Sequence, residues 1–293
     1  MKRAFWIWNI PNCEGGDPLA IAAVAHRAGL TDVFIKVADG PLKFGVYAGK
    51  DLVPGVVQAL KAVGIKVWGW QYVYGNDPAG EERIATARIK ELGLDAFIVD
   101  AESEFKKAGW AARAETYLSK LKANNTNCTI AFSSFRFPHY HPEFPWAVFF
   151  KYCDINMPQV YWLQAHNAAA QTQACFERFK AMQALHGKAQ LPIWPAGPTW
   201  KENGWRPSLA EIQDFEKVAT NFGAPLVSYW SWEHCRRDLP DLWPADQLPT
   251  PPLPPTVDTG ERLERLEQKL SDLDRVVADL SRVLADLKAI LKK

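Results

Sequence analysis

Residues 65–104 read IKVWGWQYVYGNDPAGEERIATARIKELGLDAFIVDAESE and contain a complete strand–helix–strand unit. Residues 65–73 and 95–100 are short runs of β-branched and aromatic side chains, which are typical of buried strands. Between them, residues 79–92 place apolar side chains at helical spacing, with charged residues on the other faces. A helix that joins two apolar strands predicts a parallel sheet covered by helices.

The same alternation extends from the N-terminus to about residue 245, so residues 1–245 are predicted to form one domain. Strands are predicted at 4–9, 32–38, 65–73, 95–100, 128–133, 154–161, 190–195 and 226–232. Amphipathic helices are predicted at 17–29, 51–63, 79–92, 109–123, 167–186 and 208–222. Strands that recur about every 30 residues predict a (β/α)8 barrel, also called a TIM barrel, in the α/β class. A doubly wound open sheet is the alternative, but no glycine-rich phosphate turn follows the first predicted strand.

The composition limits the classes of function. The 34 basic and 33 acidic residues give no excess of positive charge that would attract nucleic acid or an anionic membrane. The apolar runs are too short for a membrane helix or a signal peptide. We therefore expect synthesis in the cytoplasm, and release from the cell would require another protein. The five cysteines lack CxxC spacing, and we expect no disulfide framework, no metal and no cofactor.

The C-terminal region has a different pattern. Residues 246–260 are interpreted as a linker because five prolines occur between positions 249 and 255. In residues 261–293, leucine or valine recurs at alternating spacings of three and four, from Leu263 to Leu291. This heptad pattern predicts a parallel coiled coil through which the chain self-associates. Apolar residues beside the seam, such as Val276, favour three or more strands, and a helix folded back on the barrel is the alternative.

The predicted fourth strand ends in two acidic residues, Asp100 and Glu102. Residues two apart point to the same face of a strand, so the two carboxyl groups are expected to lie close together. Two neighbouring acids cannot both ionise freely, and the one with the raised pKa can act as a general acid near neutral pH. Glu102 and Asp100 are therefore the predicted catalytic residues, with a salt-bridged pair at the barrel rim as the structural alternative.

Other strand ends carry polar and aromatic residues that are predicted to bind a ligand. Aromatic rings at a barrel mouth offer flat apolar faces with a polar edge, which suit stacking on sugar rings. Lys36 inside a barrel requires a carboxylate partner, and Asp100 or Glu102 is expected to provide it. The predicted substrate-binding residues are Trp8, Asn9, Lys36, Asp39, Trp70, Tyr72, Gln159, Tyr161, Trp232 and Glu233.

Several of these segments resemble the family 25 glycoside hydrolases, which are lysozyme-like peptidoglycan muramidases, and related DUF1906-type barrels. The similar segments are Ile35–Gly40, Trp68–Tyr72, Asn76–Pro78 and Asp100–Glu102. In that family the glutamate of the Asp-x-Glu motif is the general acid, a role that the resemblance gives to Glu102. The family carries an aspartate at the end of the first strand, where this chain has Asn9.

The resemblance also implies a reaction. It is hydrolysis of the β-1,4 bond after N-acetylmuramic acid, with the substrate's acetamido group as one possible nucleophile and Asp100 orienting that group. The first hypothesis is accordingly a glycoside hydrolase of an amino-sugar polymer such as peptidoglycan. The second is a non-catalytic, oligomeric carbohydrate-binding or structural protein, such as a phage virion component. It is motivated by Asn9 in place of an acid and by the avidity that a self-associating tail would provide.

Overall fold

The structure is a computed structural model that describes residues 1–186, 190–246, 248–251, 268, 270, 271 and 277. Met1–Pro251 form one compact unit, and Pro252–Lys293 form a second. Most of the predicted linker and nearly all of the predicted coiled coil at 261–293 lie outside the described residues. Among the helices that are described, none has both the length and the apolar character needed to cross a bilayer.

In the described part of the chain, eight parallel strands close into a barrel. They are β1 (Lys2–Ile7), β2 (Asp32–Asp39), β3 (Lys66–Val73), β4 (Ala96–Ala101), β5 (Thr129–Phe135), β6 (Ile155–Gln159), β7 (Ala196–Pro198) and β8 (Leu226–Trp230). Each strand pairs with the next, and β1 pairs with both β2 and β8, which closes the sheet on itself. The predicted (β/α)8 barrel is confirmed.

Helices follow the strands and cover the outside of the barrel. They are α1 (Pro18–Arg27), α2 (Val53–Ala62), α3 (Pro78–Leu92), α4 (Trp110–Asn124), α5 (Trp146–Tyr152), α6 (Ala168–Leu185), α7 (Leu209–Asn221) and α8 (Trp232–Asp238). Side chains cap several N-termini: Asp17 accepts hydrogen bonds from the N–H groups of Leu19 and Ala20, and Ser208 forms a capping box with Glu211. These caps fix where the strand-to-helix loops end.

The barrel interior is filled by aromatic side chains rather than left open. Trp6, Phe34, Trp68 and Trp70 are buried inside it, and the ring centroids of Trp6 and Trp70 are 5.6 Å apart. Edge-to-face packing of this kind adds stability beyond the area that is buried. Because these side chains fill the barrel interior, a ligand of the barrel is expected to bind at the carboxyl ends of the strands.

Several predicted strand bounds differ from the structure by about two residues, and the last two strands differ in ways that matter for the site. The run 190–195 is not the seventh barrel strand, which is formed by Ala196–Pro198 instead; within that run, Ile193 makes an isolated bridge to Asn156. Prolines at positions 192 and 195 lack the N–H group that a ladder requires, and the residues that pair with β8 are Ala196–Pro198. The eighth strand ends at Trp230, and α8 begins at Trp232. The short helices α5 and α8 were not predicted.

Candidate functional site

The two predicted acids meet at the mouth of the barrel. Asp100 lies near the end of β4 and is buried, and Glu102 follows the strand. Gln159, the last residue of β6, donates from Nε2 to Asp100 Oδ1 at 3.2 Å and to Glu102 Oε1 at 2.9 Å. Ser133 lies opposite Asp100 on β5, with its Oγ 3.4 Å from the same nitrogen. The strand register thus gathers two carboxyl groups around one amide donor.

The surroundings raise the pKa of both acids. For Asp100 the main cause is burial, and the charge of Glu102 adds to it, while Lys36 and the hydrogen bonds from Gln159 and Ser133 act in the opposite direction. For Glu102 burial is again the main cause; the Gln159 hydrogen bond lowers its pKa and the charge of Glu104 raises it. The pair can therefore keep a proton at a pH where an ordinary carboxylic acid has lost it.

Among the cavities of the described part of the chain, three lie along the mouth of the barrel. The central cavity has a volume of about 180 Å³ and is lined by Trp6, Asp100, Glu102, Ser133, Gln159, Tyr161 and Trp230. The second has a volume of about 440 Å³ and is lined by Trp8, Asn9, Lys36, Asp39, Phe44, Tyr72 and Tyr74. The third, of about 250 Å³, shares Gln159 and Tyr161 with the central cavity. Nine of the twelve predicted substrate-binding and catalytic residues line the first two cavities, so the structure gathers most of the predicted site.

The cation of the second cavity has a different partner from the one expected. Lys36 Nζ forms an ion pair with Asp39 Oδ1 at 2.9 Å, so the expected direct pairing with Asp100 or Glu102 is wrong. The ammonium group also lies 4.5 Å from the ring centroid of Phe44 and 5.0 Å from that of Trp70. The positive charge of Lys36 still acts on Asp100: it partly offsets the increase in the pKa of Asp100 that burial and Glu102 cause.

Glu233 supports the site from behind instead of lining it. It is 3% exposed, and its Oε1 accepts hydrogen bonds from the backbone N–H groups of Trp8 at 3.0 Å and Asn9 at 2.8 Å. The predicted contact of Glu233 with substrate is therefore corrected to a positioning role at the end of β1. The hydroxyl of Tyr47 donates a hydrogen bond to Asn9 Oδ1 at 3.1 Å. This bond fixes the orientation of the Asn9 side chain, just after β1.

Trp70 and Trp232 are not placed to bind a ligand. Trp70 is 2% exposed inside the barrel, where its Nε1 donates to the carbonyl oxygen of Ile7 at 3.1 Å. Trp232 is fully buried on α8 outside the barrel, and its Nε1 donates to Glu14 Oε2 at 2.7 Å. Both predictions are corrected because the two rings are packed in the protein core.

Sequence reasoning missed Trp230, Ser133 and Tyr74 as site residues. Trp230 ends β8, and its ring centroid lies 6.3 Å from that of Trp8 and 5.5 Å from that of Trp70. A correct end for the eighth strand would have selected Trp230 in place of Trp232. Among the described residues, no cluster of three or more histidine, cysteine or acidic side chains is arranged to hold a metal ion.

Comparison with known proteins gives a match at the level of fold. No protein-family model matches the sequence, and no curated protein matches it. The chain is similar to a class V chitinase from Pseudomonas fluorescens, with a TM-score of 0.59 and 12% identity over 80% of this chain and 95% of that one. It is also similar to a family GH18 chitinase from the fern Peteris ryukyuensis, with a TM-score of 0.57 and 15% identity over 83% and 96%. A third similar structure is an endo-1,4-beta-D-mannanase from Thermotoga petrophila, with a TM-score of 0.58 and 10% identity over 78% and 88%. The chain thus shares its barrel fold with these proteins.

Proposed function

We propose that this protein is a glycoside hydrolase that cleaves a polymer of β-1,4-linked N-acetylated amino sugars, with peptidoglycan as the first substrate to test. The observation that carries the proposal is the carboxyl pair of Asp100 and Glu102, joined through Gln159 Nε2 in the central cavity. The resemblance of the strand ends to muramidases and the chitinases among the similar structures support the same class of sugar.

Glu102 is the group best placed to act as the general acid. It lies past the end of β4, it is less buried than Asp100, and it lines the central cavity. Because burial raises its pKa, the carboxyl group is protonated closer to neutral pH than an exposed glutamic acid. In the first step Glu102 donates its proton to the glycosidic oxygen as the bond from that oxygen to the anomeric carbon breaks.

The substrate supplies the nucleophile in this mechanism. The oxygen of its acetamido group attacks the anomeric carbon, which gives a cyclic oxazolinium ion and releases the leaving sugar as an alcohol. Asp100 accepts a hydrogen bond from the acetamido N–H and holds the group in position. A water molecule then transfers a proton to the Glu102 carboxylate and attacks the anomeric carbon. The acetamido group is restored, and the product keeps the original anomeric configuration.

This route does not require an acid at the end of the first strand. Asn9 is held by the hydroxyl of Tyr47 and by Glu233 through the backbone, so it can offer its amide to a sugar hydroxyl. Trp8 is 41% exposed beside it and offers a free aromatic face. Tyr72, Tyr161 and Trp230 complete the polar and aromatic lining of the two cavities. We assign these residues to sugar binding.

The test is incubation of the wild-type chain with purified peptidoglycan and, separately, with N-acetylglucosamine oligosaccharides, with products identified by mass spectrometry. New reducing ends are expected from the wild type and none from Glu102→Gln. Glu177→Gln is the matched control, since it makes the same change at an exposed carboxylate on α6 and is expected to remain active. Cleavage by Glu102→Gln would contradict the assignment. Binding of both polymers without cleavage would favour the non-catalytic carbohydrate-binding function.

We also propose that residues 261–293 join several copies of the chain, on the basis of the heptad pattern. Sedimentation analysis is expected to give at least three chains per particle. The double substitution Leu266→Glu and Leu280→Glu is expected to give monomers, while Gln268→Glu with Arg282→Glu, outside the seam, is expected to preserve the oligomer. An unchanged mass in the first variant would contradict this proposal. With a cell-wall substrate, the protein would act at the cell wall, either after release or as part of a phage particle.

A further inference from the structure

The third cavity of the barrel mouth has a cationic wall. Besides Gln159 and Tyr161, which it shares with the central cavity, it is lined by Phe135, Arg136, Phe137, Tyr140, His141 and Leu163. A polymer that passes the carboxyl pair in the central cavity would place its next unit here. The side chains that line this cavity would therefore influence which polymer binds.

Arg136 is a half-buried cation with no carboxylate partner among the described residues. One of its guanidinium nitrogens donates to the carbonyl oxygen of Tyr161, and its Cζ lies 4.6 Å from the ring centroid of Phe137. Burial lowers the pKa of this guanidinium. Removing a charge from water without a counterion is costly, and an anionic ligand would offset that cost.

Lys106 places a second positive charge beside Phe135, one of the rings that line the cavity. Its Nζ lies 4.5 Å from the ring centroid of Phe135, and no carboxylate of the described chain lies within ion-pair distance of it. Burial lowers the pKa of His141, which lines the cavity; the charge of Lys106 lowers it further, and Glu143 acts in the opposite direction. Two cations without an ion-pair partner among the described residues therefore lie at this cavity, on the side away from the carboxyl pair that Gln159 contacts.

We propose that the third cavity binds a carboxylate group of the substrate, with Arg136 as the main ligand and Lys106 as the second. This inference rests on the proposed function and narrows it to an amino-sugar polymer that carries acidic substituents. A guanidinium group presents two parallel N–H donors that match a carboxylate, and both cations lie beside aromatic rings that would pack on the sugar. A neutral polymer leaves both charges without a counterion.

The carboxylate has two possible sources, the lactyl group of a muramic acid unit and the peptide attached to that group. In a peptide-bearing polymer the lactyl carboxyl group is converted to an amide, so the two sources can be separated chemically. Three tetrasaccharides serve as probes: neutral tetra-N-acetylglucosamine, an alternating N-acetylglucosamine–N-acetylmuramic acid tetramer with free lactyl groups, and the same tetramer bearing peptides.

Binding is measured by calorimetry with the full chain carrying Glu102→Gln, so that no turnover occurs. At low salt, at least one acidic tetramer is expected to bind about tenfold or more tightly than the neutral one, and added salt should reduce the difference. The acidic tetramer that binds more tightly identifies the source of the carboxylate. Equal affinity for all three probes would overturn the proposal.

Substitutions of Arg136 and Lys106 test whether these residues cause the preference for acidic tetramers. Arg136→Met and Lys106→Met, each added to Glu102→Gln, are expected to weaken binding of the acidic tetramer about tenfold and about threefold, and to change binding of the neutral tetramer less than twofold. Lys107→Met removes the same charge one residue away, where the ammonium group lies over Trp110, and is expected to have no effect. Because Arg136 also holds Tyr161, the Lys106 variant provides an independent test. Equal losses on acidic and neutral probes with both variants would overturn the proposal.

The failure of this inference can be distinguished from failure of the proposed function. If the wild type cleaves neutral and acidic polymers equally well, the hydrolase proposal stands and the carboxylate site is wrong. If the wild type cleaves neither and the acidic probes still bind selectively through Arg136, the carboxylate site stands and the catalytic proposal is wrong.

Discussion

Asp100 and Glu102 accept hydrogen bonds from a single nitrogen, Gln159 Nε2, at 3.2 and 2.9 Å. An amide nitrogen is neutral and has two hydrogens, so it stabilises negative charge on both carboxylates without cancelling it. Burial and mutual repulsion oppose that stabilisation. The balance between these effects sets the protonation of the pair, and it can be changed one residue at a time.

The first prediction concerns Gln159. Its hydrogen bond lowers the pKa of Glu102, so Gln159→Leu is expected to raise that pKa. The alkaline limb of the pH profile of kcat/KM, where the general acid loses its proton, should move to higher pH. The maximum rate should fall about tenfold or more because the pair is less well positioned. Gln173→Leu, on the surface of α6, is the control. A limb that stays in place or moves to lower pH would contradict the assignment.

The second prediction concerns the loss of folding stability that is caused by ionising the buried Asp100. Its pKa is raised in the folded state, so between the unfolded and folded pKa values the folded chain holds more protons than the unfolded chain. The free energy of unfolding therefore decreases as pH rises through that window. Asp100→Asn removes this cost and should stabilise the protein at pH 7 by roughly 1 kcal/mol or more, about 2–4 °C in Tm.

The pH dependence of that gain is its control. Below about pH 4 the aspartic acid is protonated in both states, so wild type and Asp100→Asn should have nearly the same stability. A gain of equal size at pH 3.5 and pH 7 would show that it does not come from ionisation of Asp100. The variant should also lose most of its hydrolytic activity.

The third prediction concerns Glu233, whose Oε1 accepts two backbone N–H groups at the end of β1. Glu233→Ala leaves both donors without a partner and should reduce the free energy of unfolding by about 2–4 kcal/mol. Glu233→Gln keeps an oxygen acceptor and should cost about 1 kcal/mol or less. Urea denaturation measures both changes. Equal losses in the two variants would mean that the charge, and not the acceptor, is what matters.

The fourth prediction concerns Trp8 and Trp232, which the sequence analysis both assigned to substrate binding. Trp8 is exposed at the cleft, so Trp8→Ala should weaken oligosaccharide binding about tenfold, or about 1.4 kcal/mol, and change stability by less than about 1 kcal/mol. Trp232 is fully buried, so Trp232→Ala should cost about 3–5 kcal/mol of stability. Calorimetric binding and denaturation on both variants test this. A large stability loss in Trp8→Ala would contradict the assignment of its ring to sugar binding.

The barrel and the position of the acids could be predicted from local sequence patterns. The alternation of apolar strands and amphipathic helices has a regular period, and Asp100 and Glu102 follow a strand whose end is marked by the change from apolar to acidic residues. Trp232 was misplaced because the alternation 226–232 continues past the point where the chain turns into α8 at Ser231. Residue parity within a strand no longer applies once the helix begins.

Side-chain partners were the part that the sequence did not determine. Lys36 forms an ion pair with Asp39, which is three residues further along the chain and is the last residue of β2. Glu233 lies on α8, and its carboxylate accepts hydrogen bonds from backbone N–H groups that follow β1. The first and last strands of the barrel pair here. The cations Arg136 and Lys106 come from two different loops; Arg136 lines the third cavity, and Lys106 lies beside Phe135 of the same cavity. Contacts of this kind depend on tertiary packing and have no local signature.

The most direct test of the central claim, that Glu102 protonates the leaving oxygen, is the dependence of kcat/KM on the leaving group in Glu102→Gln. The substrates are aryl glycosides of di-N-acetylglucosamine, one with a 2,4-dinitrophenyl group that leaves without protonation and one with an unactivated phenyl group. The account predicts that Glu102→Gln loses about 10²- to 10⁴-fold with the phenyl glycoside and less than about tenfold with the dinitrophenyl glycoside. Equal losses with both substrates, or no loss with either, would contradict it.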